Sequence, residues 1–227
     1  MRYDLFRFSV PPAVPHVAIL ISRSDLGTHT GIIFRGAGGN LERMDFCMDG
    51  RIACGGWSGR HNHVIPNVDD DALENLASLC RVIAGRYRNR RAEHRYGFSR
   101  DPGARADPIT GILNLGAASG ATCASFVLIV FSSAGIELVD PVWPRRPHLD
   151  DPNHQRLITI LGVHGGVDGP YISRVRKELP CPRVAPEEVA GSGMYPDLQE
   201  RPADQEFADR AGQWIMDVLE GQDWIGR

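Results

Sequence analysis

The chain of 227 residues has 42% apolar residues and a formal net charge of −3. These values fit one globular domain and give no electrostatic reason to expect nucleic acid or an anionic membrane as a partner. The five cysteines include no Cys-x-x-Cys pair, which predicts reduced thiols. The early apolar runs are too short for a signal peptide or a membrane span. The sequence therefore predicts a cytoplasmic protein without a membrane anchor, and signal-independent secretion stays open.

The first part of the chain has the pattern of an antiparallel β meander. The apolar runs Val17 to Ile21 and Thr28 to Phe34 have strand length and predict a hairpin. A turn cluster at Gly36 to Asn40 precedes a third short strand from Leu41 to Phe46. We therefore expect a sheet that begins with three neighbouring strands.

Two helices and a long connection follow the predicted strands. Apolar residues spaced by three or four predict a helix over Asn67 to Tyr87. Residues Arg88 to Ser119 lack a clear period, so we expect a loop with one short element near Ile112 to Leu115. A strongly apolar helix is expected over Thr122 to Ala134, with its first residue as N-cap and Gly135 as its stop. Such a helix should be central and buried.

The last part of the chain mixes helix and strand patterns. We expect strands over Ile136 to Val139 and over Tyr171 to Val175. Helices are expected over Asp151 to Leu161 and from Pro186, which suits the first helical position. A closing helix over Ala203 to about Leu219 carries an apolar stripe that should pack in the core. The fold class is therefore expected to be α+β.

Cys123 opens the buried helix and is the candidate nucleophile. A thiol acts as a thiolate, which a helix N-terminus and a neighbouring imidazolium both stabilise. Small residues at 116–121 allow a substrate carbonyl to approach the backbone, where the Cys123 N–H could stabilise an oxyanion. Thr122 and Ala124 flank the thiol and are candidate substrate-binding residues. A buried structural thiol is the competing interpretation.

His29 is the candidate base among the eight histidines. It lies in the second predicted strand, where alternation puts His29 and Gly31 on one face, opposite Thr30. Asp45 lies between apolar residues of the third strand, an unusual place for a carboxylate, and is expected to orient the His29 ring. Glu42 is the alternative if the strand register differs, and a solvent-facing role is the competing interpretation of Asp45.

The order of these residues resembles the circularly permuted branch of the papain-like (NlpC/P60) superfamily. The matching segments are His29 to Phe34, Leu41 to Phe46 and Thr122 to Val127, within roughly residues 15–140. The resemblance implies a permuted papain-like fold, with an antiparallel β-sheet packed against a central helix that bears the cysteine, and a Cys-His-Asp triad. Relatives by this pattern include lecithin:retinol acyltransferase-like proteins, PPPDE deconjugating peptidases and several bacterial amidases and toxins.

Two positions depart from the pattern of the lipid-acting relatives. Asp45 stands where those proteins often have His, and Thr122 stands where they commonly have Asn. The difference at Thr122 weakens assignment to the acyltransferase branch in particular. The leading expectation is a hydrolase of the peptidase or amidase type, which would cleave an amide, isopeptide or ester bond through an acyl-enzyme. An acyltransferase or thioesterase, and a catalytically silent peptide-binding module, are the alternatives.

A protein or peptide is the expected partner, including the case of a secreted effector with a cognate partner. We expect a single domain over 1–227, with a core over about 15–140 and a C-terminal helical extension over 141–227. Tyr96 and Trp143 are candidates to line a substrate groove, although core packing explains them equally well. His61-Asn62-His63 lacks a second ligand pair at zinc spacing, so we expect a loop there and neither metal nor cofactor.

Overall fold

A computed structural model describes most of the chain and confirms the α+β class. It describes residues 14–24, 27–59, 61–90, 94–98, 101–116, 120–140, 152–164, 167–178, 181 and 183–221. The strands are β1 (Val17–Ser24), β2 (Gly27–Arg35), β3 (Leu41–Phe46), β4 (Ile52–Gly56), β5 (Asn62–Val64), β6 (Arg105–Ala106) and β7 (Leu113–Asn114). The helices are α1 (Asp70–Tyr87), α2 (Cys123–Ser133), α3 (Pro152–His164), α4 (Gly169–Lys177), α5 (Pro186–Ser192) and α6 (Gln205–Glu220).

Five strands form one antiparallel sheet in the order β4-β3-β2-β1-β5. The predicted hairpin is confirmed, because β1 and β2 pair from Val17↔Phe34 to Ser24↔Gly27. Pairing between β2 and β3 covers only Ile32↔Met44 to Arg35↔Leu41. The first part of β2, which carries His29, therefore extends beyond its ladder with β3.

The main core lies between this sheet and the helices. Alternate residues of β1 and β2 are fully buried in it, as the period of two requires. Helix α2 packs against β2 and β3, and its first ten residues are all buried. A helix that is apolar on every side must be surrounded by protein, so the predicted central position of α2 is confirmed. None of the described helices is long and apolar enough to cross a membrane.

The C-terminal helices pack on the sheet as well as on each other. Helix α5 contacts α6, β1, β2 and α2. Gly191 of α5 allows the close approach to α6, since a Cβ there would lie 2.8 Å from the Cβ of Ala211. The predicted helix start at Pro186 and the predicted closing helix are both confirmed.

The strand predicted at Tyr171 to Val175 is wrong, because these residues lie in α4. Asp168 caps that helix and accepts a 2.8 Å hydrogen bond from the Tyr171 N–H. Tyr171 and Val175 are both buried, and four residues apart they share one helix face. A five-residue window is too short to distinguish this spacing from strand alternation.

Other local predictions differ from the structure at identifiable points. Residues 136–139 form no strand and contribute only an isolated bridge between Val139 and Ala203. The predicted loop at 61–63 is wrong, because β5 begins at Asn62 and pairs with β1. Helix α1 begins three residues later than predicted, at Asp70, because Asp69 caps it with a 2.7 Å hydrogen bond from the Ala72 N–H.

Candidate active site

The first turn of α2 fixes the position of Cys123. Thr122 is the N-cap, and its Oγ1 accepts a 3.0 Å hydrogen bond from the Ser125 N–H. In return, the Thr122 N–H donates to Ser125 Oγ at 2.7 Å. This reciprocal capping box holds the first turn in helical geometry. Cys123 is the first helical residue, so its N–H has no acceptor within the helix.

The segment before α2 brings Tyr96 beside the cysteine. Ala121 forms a parallel bridge with Tyr96, in which the Ala121 N–H donates to Arg95 O at 3.0 Å and the Gly97 N–H donates to Ala121 O at 3.1 Å. Gly120 permits this approach, because a Cβ there would collide with Arg95 O and lie 2.6 Å from Gly97 N. Gly120 and Ala121, directly before Thr122, thus serve backbone packing.

His29 and Asp45 meet across β2 and β3. The His29 Nε2 atom lies 3.2 Å from Asp45 Oδ1. Asp45 is buried, with 6% of its surface exposed, so the interpretation of a solvent-facing carboxylate is wrong. The alternative carboxylate, Glu42, pairs instead with Arg88. Of the two acidic residues weighed from the sequence, the structure brings Asp45 to the histidine.

Gly31 makes room for this contact. A Cβ at Gly31 would collide with Asp45 Oδ1 and would lie 2.9 Å from Met44 O. The carboxylate therefore occupies the space that a side chain at position 31 would fill. This explains why a glycine two residues after His29 suits the arrangement.

Gly31→Ala is expected to push the Asp45 carboxylate away from His29 and to destabilise the fold by about 1–3 kcal/mol, the usual cost of overpacking. Alkylation of Cys123 near neutral pH should slow by roughly tenfold, because the histidine loses its fixed orientation. Thermal unfolding and the alkylation rate measure the two effects.

Gly55→Ala is the matched control for Gly31→Ala. Gly55 lies in β4 of the same sheet, and a Cβ there would meet no atom within 4 Å. Both measurements should stay close to wild type in this control. An unchanged alkylation rate in Gly31→Ala would contradict the assigned role of the glycine.

Cys123 and His29 lie close enough that their opposite charges stabilise each other. Burial opposes charge on the ring, but hydrogen bonds to Asp45 and Cys123 outweigh it and raise the pKa of His29 to about 10. Burial likewise opposes the thiolate, but the hydrogen bond and charge of His29, with the N–H groups of Thr30 and Ala124, lower the pKa of Cys123. Both shifts therefore favour the thiolate–imidazolium form of the pair.

The other four cysteines have the opposite electrostatic environment. Burial is the main cause that raises the pKa of each of these thiols. None of them forms a disulfide within the described residues. They are Cys47, Cys54, Cys80 and Cys181. Reactivity near neutral pH is thus expected at Cys123 alone.

A cleft of about 250 Å³ opens beside the thiol. Three of the predicted substrate-binding residues line it, namely Tyr96, Thr122 and Ala124, whereas Trp143 lies outside the described residues. The opposite wall comes from the C-terminal part of the chain, which sequence reasoning did not assign to the site. That wall consists of Arg156, Arg183, Val184, Ala185, Pro186, Glu187 and Met216.

One hydrogen bond links this wall to the strand that carries the histidine. Thr28 Oγ1 donates to Glu187 Oε2 at 2.6 Å. Thr28 immediately precedes His29, and Glu187 lies in the first turn of α5. The start of β2 and the start of α5 are therefore held together at the rim of the cleft.

The histidines considered as metal ligands have other contacts. The His61 Nε2 atom lies 3.0 Å from Arg43 Nη1. His63 is fully buried with its ring edge-on to Trp57, and burial lowers its pKa to about 4. Over the part of the chain that the structure describes, no three His, Cys, Asp or Glu side chains are grouped so that they could hold a metal ion.

Comparison with models of protein families, with curated protein sequences and with solved structures finds no match to this chain. The residues of the site are a capped helix start that presents a thiol to the cleft, a histidine that interacts with the thiol, and a buried carboxylate in contact with the ring.

Proposed function

We propose that the chain is a papain-like cysteine hydrolase of the peptidase or amidase type, with the circularly permuted order in which the histidine precedes the cysteine. Cys123 is the nucleophile, His29 the general base and acid, and Asp45 the residue that orients the ring. The observation that carries the proposal is that His29 interacts with both Asp45, 3.2 Å from its Nε2, and Cys123, whose thiol lines a cleft. Nucleophile, base and orienting carboxylate in contact are what triad chemistry requires.

The ring nitrogens of His29 divide the two contacts between them. Because Nε2 faces Asp45, the other nitrogen, Nδ1, is the one available to the Cys123 thiol. With this assignment, Nδ1 can exchange a proton with the thiol and the substrate while Asp45 fixes the orientation of the ring. The His29 side chain has 33% of its surface exposed.

The reaction begins with attack of the Cys123 thiolate on the carbonyl carbon of the substrate. The Cys123 N–H, which has no helical acceptor, stabilises the oxyanion that forms. Tyr96 lines the cleft beside the thiol, and burial and the nearby Cys123 raise the pKa of its hydroxyl. The His29 imidazolium then gives its proton to the leaving amine or alcohol, and a thioester remains on Cys123.

Water completes the cycle. Neutral His29 removes a proton from the attacking water, the tetrahedral species collapses, and Cys123 leaves as a thiolate with His29 again protonated. The acid is released and both side chains return to their starting state. An acceptor other than water would give acyl transfer through the same intermediate.

The cleft supports a protein or peptide substrate over a lipid. Its volume of about 250 Å³ lies below the roughly 300–1,000 Å³ of sites that enclose whole small ligands. Its walls carry the charged side chains Arg23, Arg156, Arg183 and Glu187. A cleft with these charged side chains in its walls suits a segment of polypeptide better than a long acyl chain.

The proposal is tested by alkylating the folded protein with iodoacetamide near neutral pH and measuring each cysteine by mass spectrometry. Cys123 should react at least about tenfold faster than the other four, because its pKa is lowered whereas theirs are raised. Denatured protein, in which the five thiols should react similarly, is the control. Equal and slow alkylation of all five cysteines in the folded protein would contradict the proposal.

A further inference from the structure

We infer that Arg43 is a positioning residue of this site, which holds the Asp45 carboxylate in the orientation that presents Oδ1 to His29. The inference rests on the proposed function and extends it to a residue that the sequence analysis did not single out. Three contacts carry it: Arg43 with Asp45, Arg43 with His61, and Asp45 with His29.

The two oxygens of Asp45 have separate partners. Oδ1 lies 3.2 Å from His29 Nε2, and Oδ2 lies 3.3 Å from Arg43 Nε. Arg43 and Asp45 are two residues apart in β3, so both side chains lie on the same face of the sheet. A rotation of the carboxylate about its own axis would break both contacts together. Arg43 therefore limits the one motion that would release the His29 ring.

Arg43 is itself fixed at its far end. Its Nη1 atom lies 3.0 Å from Nε2 of His61, a residue that directly precedes β5. In the sheet order, β3 and β5 are separated by β2 and β1. The connection between β4 and β5 therefore brings His61 back over the sheet to Arg43. A planar guanidinium can engage two partners in fixed directions, which an ammonium group cannot.

Position and charge make different predictions for this arginine. As a charge alone, Arg43 disfavours the His29 imidazolium but favours the Cys123 thiolate, so the two effects of its removal on the pair oppose each other. As a holder of Asp45, its removal frees the carboxylate to rotate and weakens the support of the ring. A clear loss of Cys123 reactivity that depends on the presence of Asp45 therefore identifies the positioning role.

The experiment measures the alkylation rate of Cys123 against pH in Arg43→Ala, Asp45→Asn and the double variant. Arg43→Ala should lower the rate near neutral pH by roughly tenfold, and Asp45→Asn should lower it further. In the double variant, loss of Arg43 should have no additional effect, because the arginine acts through Asp45. If Arg43 had a purely structural role, Arg43→Ala would lower the alkylation rate by the same factor in the wild-type protein and in Asp45→Asn.

Two further variants keep the test decisive. Arg43→Lys keeps the positive charge without the forked geometry, and we expect it to fold and to give an intermediate rate. Arg51→Ala removes an arginine whose Nε lies 3.6 Å from Asp49 Oδ2, outside the cleft, and Cys123 should react as in wild type. Thermal unfolding of each protein identifies any variant whose rate reflects loss of the fold.

The outcomes separate this inference from the proposed function. A rate in Arg43→Ala that equals or exceeds wild type, or an equal loss in the presence and absence of Asp45, overturns the positioning role alone. If Cys123 in the wild-type protein is no more reactive than the other cysteines, the proposed function fails first.

Discussion

Cys123→Ala is expected to lower turnover by about four orders of magnitude or more, since removal of a nucleophile leaves only the residual effect of binding and oxyanion stabilisation. The fold should survive. The cap of α2 is made by Thr122 and Ser125 rather than by Cys123, and alanine is a good helix former. Hydrolysis of a panel of fluorogenic peptide amides and esters, together with thermal unfolding, measures both properties.

Cys47→Ala is the matched control for this substitution. Cys47 is half-buried and has a pKa that burial raises, so its loss should leave turnover unchanged. Equal hydrolysis by the wild-type and Cys123→Ala proteins would rule out a thiol mechanism. A wild-type protein that binds peptides but hydrolyses none of the panel would favour the silent binding module instead.

His29→Gln is expected to slow alkylation of Cys123 near neutral pH by about a hundredfold. Without the imidazolium, burial becomes the dominant influence on Cys123 and raises the pKa of its thiol. Only a small fraction of the thiol is then ionised near neutral pH. Glutamine keeps a polar group beside Asp45, so the carboxylate retains a hydrogen-bond partner.

The direction of the effect of His29→Gln can be read from the pH dependence of turnover and of Cys123 alkylation. In the wild type, the thiolate is lost as pH falls through the lowered pKa of Cys123, and the imidazolium is lost as pH rises through about 10, the pKa of His29. Turnover should therefore have an acid limb and an alkaline limb. His29→Gln should move the acid limb of alkylation upward, whereas His16→Gln, outside the cleft, should leave it in place. An unmoved acid limb in His29→Gln would contradict the ion pair.

Local sequence signals were sufficient for the parts of the site that depend on local structure. The cap at Thr122, the apolar length of α2 and the hairpin that carries His29 follow from side-chain chemistry within a few residues. Local signals could not decide whether Asp45 or Glu42 is the carboxylate that contacts His29. It depends on the strand register, which pairs Glu42 with Phe34 and brings Asp45 beside Gly31.

The parts that sequence reasoning missed depend on contacts between distant segments. β4 is rich in glycine and lacks an apolar alternation, and β5 has three residues, so neither has a period of its own. The C-terminal wall of the cleft consists of ordinary residues that become part of the site only because α5 packs on β1 and β2. Arg43 likewise gains its contacts only after β3 and the β4–β5 connection come together.

The bond between Thr28 and Glu187 has a consequence for the order in which the site is completed during synthesis. His29, Asp45 and Cys123 all leave the ribosome before Glu187, since they precede it by 60 residues or more in the chain. The cleft gains its second wall only after α5 has docked on β1, β2 and α2. The Thr28–Glu187 bond is therefore among the last contacts of the cleft to form as the chain is synthesised.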